Sequence, residues 1–214
     1  MKNRKYAFSL AVVIFIICAL GFSLISVLVS NHMTHHFDST IISWVQGLEA
    51  PNLTVAMKFF TTIGSGLPIV IISIVIMAIL YHFLGHRREL LFLIWVMIGS
   101  ALMNKLLKLV FQRTRPTLHR IVEANGYSFP SGHSVAAFAL YGALTFLIWK
   151  HVHKVSGRIL IIVVSSLFIV TIGISRIYLG VHYPSDVIGG YLMSACWLTL
   201  SIGLYRRYLE RAER

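Results

Sequence analysis

Six apolar runs, each long enough to cross a hydrocarbon layer, constrain this chain more than any other feature. They cover about 7–30, 67–84, 90–110, 133–149, 159–175 and 187–205. A helix needs roughly 20 apolar residues to span a bilayer core. Inside lipid every backbone amide must find its partner within the protein, which leaves helices or a closed barrel. None of the six runs alternates like a barrel strand. The sequence therefore predicts an all-α fold, a six-transmembrane-helix bundle forming one domain over residues 1–214. Between the first two runs, Asp38 begins a short helical pattern in which Ile41, Ile42, Val45 and Leu48 recur on one face, and Leu53–Thr62 follows Pro51. These predict short amphipathic helices on the outer face between spans one and two.

Composition agrees with a lipid environment. The chain is 57% hydrophobic and 12% charged, where soluble domains carry about 25% charged residues. The formal net charge of +12 does not signal nucleic acid, because the basic residues are dispersed between apolar runs. The basic start Met1–Lys5 imitates a secretory signal, but the apolar run behind it exceeds the usual h-region of ~7–15 residues, so an uncleaved first span is expected. Cys18 and Cys196 both fall inside apolar runs and read as small core residues.

Charge also orients the bundle. With both termini in the cytoplasm of a multi-pass cell-membrane protein, twelve of the 19 Lys and Arg residues fall on the cytoplasmic side, as the positive-inside rule expects. Seven oppose that bias. Lys105, Lys108, Arg113, Arg115, Arg120 and Arg176 gather around the outer ends of spans three and five, and Lys58 stands apart. Cations placed against the topogenic bias need a reason, and binding an anion is one.

Three polar stretches share that outer end. Lys108-Leu-Val-Phe-Gln-Arg-Thr-Arg115-Pro116 leaves span three. Pro130-Ser131-Gly132-His133 enters span four. Ser175-Arg176, then His182 and Asp186, join spans five and six. Arginine forks match phosphate oxygens, and a helix N-terminus at Gly132 offers free amides and a positive dipole end. Pro184 suits a first helical turn, which places Asp186 within one turn of His182. A carboxylate on one imidazole nitrogen leaves the other basic and outward, as a nucleophile or base requires, while the stretch by itself reads equally as a polar membrane-interface loop with a helix cap.

Lys-x6-Arg-Pro, then Pro-Ser-Gly-His, then Ser-Arg-x5-His-x3-Asp, in this order, resembles the signature of the type 2 phosphatidic acid phosphatase superfamily. All three parts are complete over residues 108–186. The resemblance implies a membrane lipid phosphatase acting on a lipid phosphate such as phosphatidylglycerophosphate or undecaprenyl diphosphate, and an outward site leans toward the second, a carrier lipid released on that side. It implies His182 as nucleophile, Asp186 as the group orienting it and His133 as proton donor. Lys108, Arg115, Ser131, Gly132 and Arg176 would hold the phosphoryl oxygens. It implies no cofactor and no metal, and the only aspartates are Asp38 and Asp186.

The competing class is an anion transporter with an outer-face cationic site. A transport path needs polar groups near the bilayer midplane, and the middles of these runs are nearly free of charge. Other residues have plainer readings. Ser131 suits a helix N-cap. Lys105 reads as an interface residue whose head snorkels to water. Arg113 and Arg120 read as loop charges that could also touch a second phosphate, Tyr178 and Tyr183 as packing or interface aromatics, and His119 as solvated. His32, His35 and His36 lack the carboxylate or cysteine that would complete a metal site.

Overall fold

The structure is a computed structural model that describes residues 2–84, 87–117 and 119–212. Those residues form eight helices and no strand. They are α1 (Lys2–Ser30), α2 (His35–Gln46), α3 (Pro51–Ile63), α4 (Gly66–Leu84), α5 (Arg87–Phe111), α6 (Gly132–Trp149), α7 (Val155–Tyr178) and α8 (Pro184–Ala212). The all-α bundle expected from the apolar runs is present. Five helices, α1, α5, α6, α7 and α8, are each long and apolar enough to cross a membrane.

The sixth span differs from its expected form. Helix α3 runs into α4 across a break at Ser65, and the two axes bend by 60°. Together they are long and apolar enough to form a broken span or a re-entrant loop. Gly64-Ser65-Gly66 supplies the break, since glycine loses most by helix formation. So α3 is more than a helix laid on the surface: its C-terminal turn is carried toward the bundle.

Helix α8 is the central post. Of its apolar span, 44% is buried, against 11% for α1 and α7. Its Leu198 and Tyr205 join Phe92, Leu93 and Val96 of α5 and Leu140, Ala143 and Leu147 of α6 in the main core. Gly99 leaves room there for the Trp197 ring. A Cβ at that position would stand 2.0 Å from the Trp197 ring, whose indole N–H donates to the Val96 carbonyl at 3.0 Å. Outward faces stay apolar, as with Ile17 and Leu20 of α1, Ile98 and Leu102 of α5, and Leu160 and Leu167 of α7. Facing lipid, these residues gain nothing from being buried in protein.

A second, smaller cluster caps one end of the bundle. Val45 of α2 packs with Ile177, Tyr178, Leu179, Val181 and Val187 at the α7–α8 junction. The Tyr178 hydroxyl lies 2.8 Å from the Thr54 hydroxyl on α3, and the Ala50 amide donates to it at 3.2 Å. Tyr178 thus packs as expected and also ties α3 to α7.

Candidate active site

The C-terminal ends of α5 and α7 and the N-terminal ends of α6 and α8 meet beneath that cap. Between them lies a cavity of about 470 Å³. Its walls include Lys108, Arg115, Gly132, His133, Arg176 and His182. Thr61, Thr62 and Ser65 join them from the α3–α4 break, and Glu123 and Asn125 from the long loop after α5. Six of the eight residues expected at a phosphate site therefore share one cavity, from segments up to 74 positions apart in sequence.

Local sequence explains each placement. Helix α8 opens at Pro184, whose missing amide N–H would be unpaired there anyway. Asp186 follows two residues later, and its Oδ2 accepts the Tyr183 amide at 2.9 Å. That bond satisfies a donor the helix itself cannot. The same oxygen lies 3.3 Å from Nδ1 of His182. The other ring nitrogen, Nε2, stands 3.0 Å from the Arg115 guanidinium. An arginine can only donate, so Nε2 carries the lone pair and Nδ1 the proton. Burial is the largest influence on the ring and pulls its pKa down to about 4, against the upward pull of Asp186.

The cations are arranged unequally. Arg115 donates to the Gly126, Val181 and Asn125 carbonyls at 3.0, 2.8 and 3.0 Å. Lys108 donates to the Tyr127 carbonyl. These two cations hold the 125–128 loop against the α7–α8 turn. Arg176 is less occupied. Its Nη1 donates to the Thr61 hydroxyl, but its buried Nε has no partner. A buried unpaired donor costs on the order of 1–3 kcal/mol, a debt that an anion in the cavity would cancel.

Ser131 and Asp186 stand just behind the cavity wall. The Ser131 amide donates to the Asp186 carbonyl at 3.0 Å, coupling the α6 start to the α8 start. Ser131 occupies the N-cap position of α6 without a side-chain capping bond. Its hydroxyl instead accepts from Ser134 at 3.0 Å.

Arg113 corrects the sequence reading most. It is not a solvated loop charge. One nitrogen donates to Asp186 Oδ1 and to the Ser185 hydroxyl, both at 2.7 Å. The other donates to Asp38 Oδ2 at 2.8 Å and to the Thr34 hydroxyl at 3.1 Å. Its guanidinium also lies 4.1 Å from the Tyr183 ring centroid. Asp38, read from sequence only as the start of a helix, has a side chain 2% exposed. The available signal was that Asp38 is one of only two aspartates and lies on the same outer side as Arg113. Arg120 does not reach the cavity and donates to the Pro116 carbonyl. His119 is exposed as expected, and it sits 2.8 Å from Glu49.

Comparison with known proteins sets this site in a class. The crystal structure of a transmembrane PAP2-type phosphatidylglycerolphosphate phosphatase from Bacillus subtilis superposes with a TM-score of 0.82 at 26% identity. The match covers 90% of this chain and 96% of that one. Aquifex aeolicus LpxE shares the fold, with a TM-score of 0.64 over 78% of this chain and 95% of its own at 24% identity. The fold is thus that of transmembrane PAP2 phosphatases. Residues 89–209 match the PAP2 superfamily model, and the chain belongs to that superfamily. Among curated proteins it is 29% identical to phosphatidylglycerophosphatase B of Bacillus subtilis, over 80% of this chain and 85% of that protein. It is 31% identical to undecaprenyl-diphosphatase BcrC of the same organism, over 59% of this chain and 63% of that protein.

Proposed function

We propose that this chain hydrolyses the phosphate headgroup of a membrane lipid through a phosphohistidine at His182, without a metal, with its site on the extracytoplasmic face and both termini in the cytoplasm. One observation carries the reading. A lone-pair nitrogen of His182, backed by Asp186, faces a cavity that also holds His133 and three cations. The phosphoryl group enters and takes the donors that Arg115, Lys108 and Arg176 now give to the protein or leave unpaired. His182 Nε2 attacks phosphorus, and the bond from phosphorus to the lipid oxygen breaks. His133 protonates that oxygen, and the substrate dianion supplies the countercharge a protonated His133 needs among the cations. Water then attacks the phosphohistidine, His133 takes its proton, and inorganic phosphate leaves. Fixed cations that meet charge as it moves contribute several kcal/mol to such a step.

Two substrates fit the family, and the cavity favours a phosphomonoester such as phosphatidylglycerophosphate over undecaprenyl diphosphate. Three cations line it together with one acid, Glu123. Arg113, which could have met a second phosphate, is committed to Asp38 and Asp186. The similarity to phosphatidylglycerophosphatase B over most of both chains points the same way. Transport fits less well. Among the described residues the buried ionisable groups are Asp38, Glu89, Arg176, His182 and Asp186. All but Glu89 stand at the site, so no charged path crosses the bilayer. The test is phosphate release by purified protein in detergent with excess chelator. The expected result is a higher kcat/KM on phosphatidylglycerophosphate than on undecaprenyl diphosphate. Release that requires a divalent metal, or from neither lipid, contradicts the proposal.

A further inference from the structure

A helix expected to rest on the membrane surface should bury apolar side chains. Helix α2 buries only Val45 and a carboxylate, Asp38. Asp38 Oδ1 accepts the Ser185 amide at 2.9 Å, and Oδ2 accepts the Ser185 hydroxyl and Arg113, each at 2.8 Å. A dry ion pair seldom adds net stability, because desolvating both charges offsets their attraction. Tying α2 to α8 could be done more cheaply with leucines. The charge pattern therefore points beyond a staple.

The pattern controls Asp186. That carboxylate is fully buried and makes three side-chain contacts, with Arg113 on Oδ1 and with the Tyr183 amide and His182 on Oδ2. Arg113 thereby fixes which oxygen the imidazole receives and in what plane. Asp38 in turn holds the other guanidinium nitrogen, so the fork is fixed between the two carboxylates. A lysine could not replace the fork, because each guanidinium nitrogen serves a different carboxylate.

We propose that Arg113 and Asp38 are positioning residues for the reaction: Asp38 fixes the Arg113 fork, and Arg113 orients Asp186 so that Nε2 of His182 meets the phosphorus. This rests on the phosphohistidine reading above. Neither side chain lines the cavity, so both act through Asp186 and not on substrate.

The test uses full-length protein in detergent with whichever of the two lipids is turned over better. Arg113→Lys, Asp38→Asn, Asp186→Asn and the Arg113→Lys/Asp186→Asn double variant are compared with wild type by kcat, KM and thermal melting. We expect Arg113→Lys and Asp38→Asn each to lower kcat roughly ten- to a hundredfold, the usual cost of loosening a group that orients a reacting one. KM should stay within about twofold, because the phosphate ligands are untouched. Once Asp186 is changed, the Arg113 substitution should cost little more, since the two act as one unit. Wild-type kcat per folded enzyme in both single variants overturns the proposal, as does an effect that adds fully to that of Asp186→Asn. Loss of folded protein in both single variants makes the pair a structural staple and also overturns it. Wild-type kcat in Asp186→Asn strikes the underlying reading of His182 and Asp186 instead.

Discussion

At the scale of single residues, the proposed chemistry turns on the protonation of His182. Its ring is neutral with the lone pair on Nε2, because arginine on that nitrogen can only donate. Its pKa, held down to about 4 by burial, lies below the ~6.5 of a solvated histidine. Nucleophilic attack needs the neutral form, so kcat/KM should persist as pH falls through 6 and drop only as it approaches 4. A pH–rate profile whose acid limb sits near the solvated value contradicts this environment. The same shift acts on stability. The unfolded chain binds the proton more readily, so the contribution of His182 is complete above the unfolded pKa and is lost as pH falls toward the folded one. His133 makes a separate prediction. If it protonates the departing oxygen, His133→Ala should lose about 10²–10⁴ in kcat on lipid esters and far less on an aryl phosphate whose oxygen leaves unaided. Equal losses on both substrates would remove it from that role.

At the scale of elements, the α7–α8 turn carries most of the precision. Gly180 sits there at φ +72°, and a Cβ on it would lie 1.8 Å from the His119 carbonyl oxygen. Gly180→Ala therefore meets both left-handed strain and backbone overlap. It should destabilise by about 1–3 kcal/mol, read as a lower melting temperature in detergent, and should lower kcat by displacing His182 two residues on. The starts of α6 and α8 were legible in sequence, because Pro130-Ser131-Gly132 and Pro184-Ser185-Asp186 carry local helix-start chemistry. The three motifs were legible for the same reason, each being short and self-contained. What was not legible depends on contacts between distant segments. Nothing near Asp38 signals that its carboxylate meets Ser185, 147 positions away, or that Arg113 bridges the two. Hydropathy separated α3 from α4 as surface helix and span, while the contact that brings the end of α3 to the site, Thr61 with Arg176, joins segments 115 positions apart.

At the scale of the whole molecule, the apolar band and the single polar end define an orientation. The site end holds Met33, on the α1–α2 turn, at 69% exposure, and the opposite end holds exposed Lys154 before α7. With Cys18 and Cys196 replaced, Met33→Cys should react with a membrane-impermeant thiol reagent from outside intact cells, and Lys154→Cys only after lysis. The reverse pattern would place the site in the cytoplasm. Orientation matters to function because it decides which leaflet supplies the substrate. The central claim, however, is chemical, and it is best tested by catching the intermediate. Lipid labelled in its phosphate is mixed with enzyme and quenched in alkali, where phosphohistidine survives, and the peptides are then mapped by mass spectrometry. The account predicts label on His182 in the wild type and none in His182→Ala. Turnover without any labelled residue, or label on a different side chain, would contradict it.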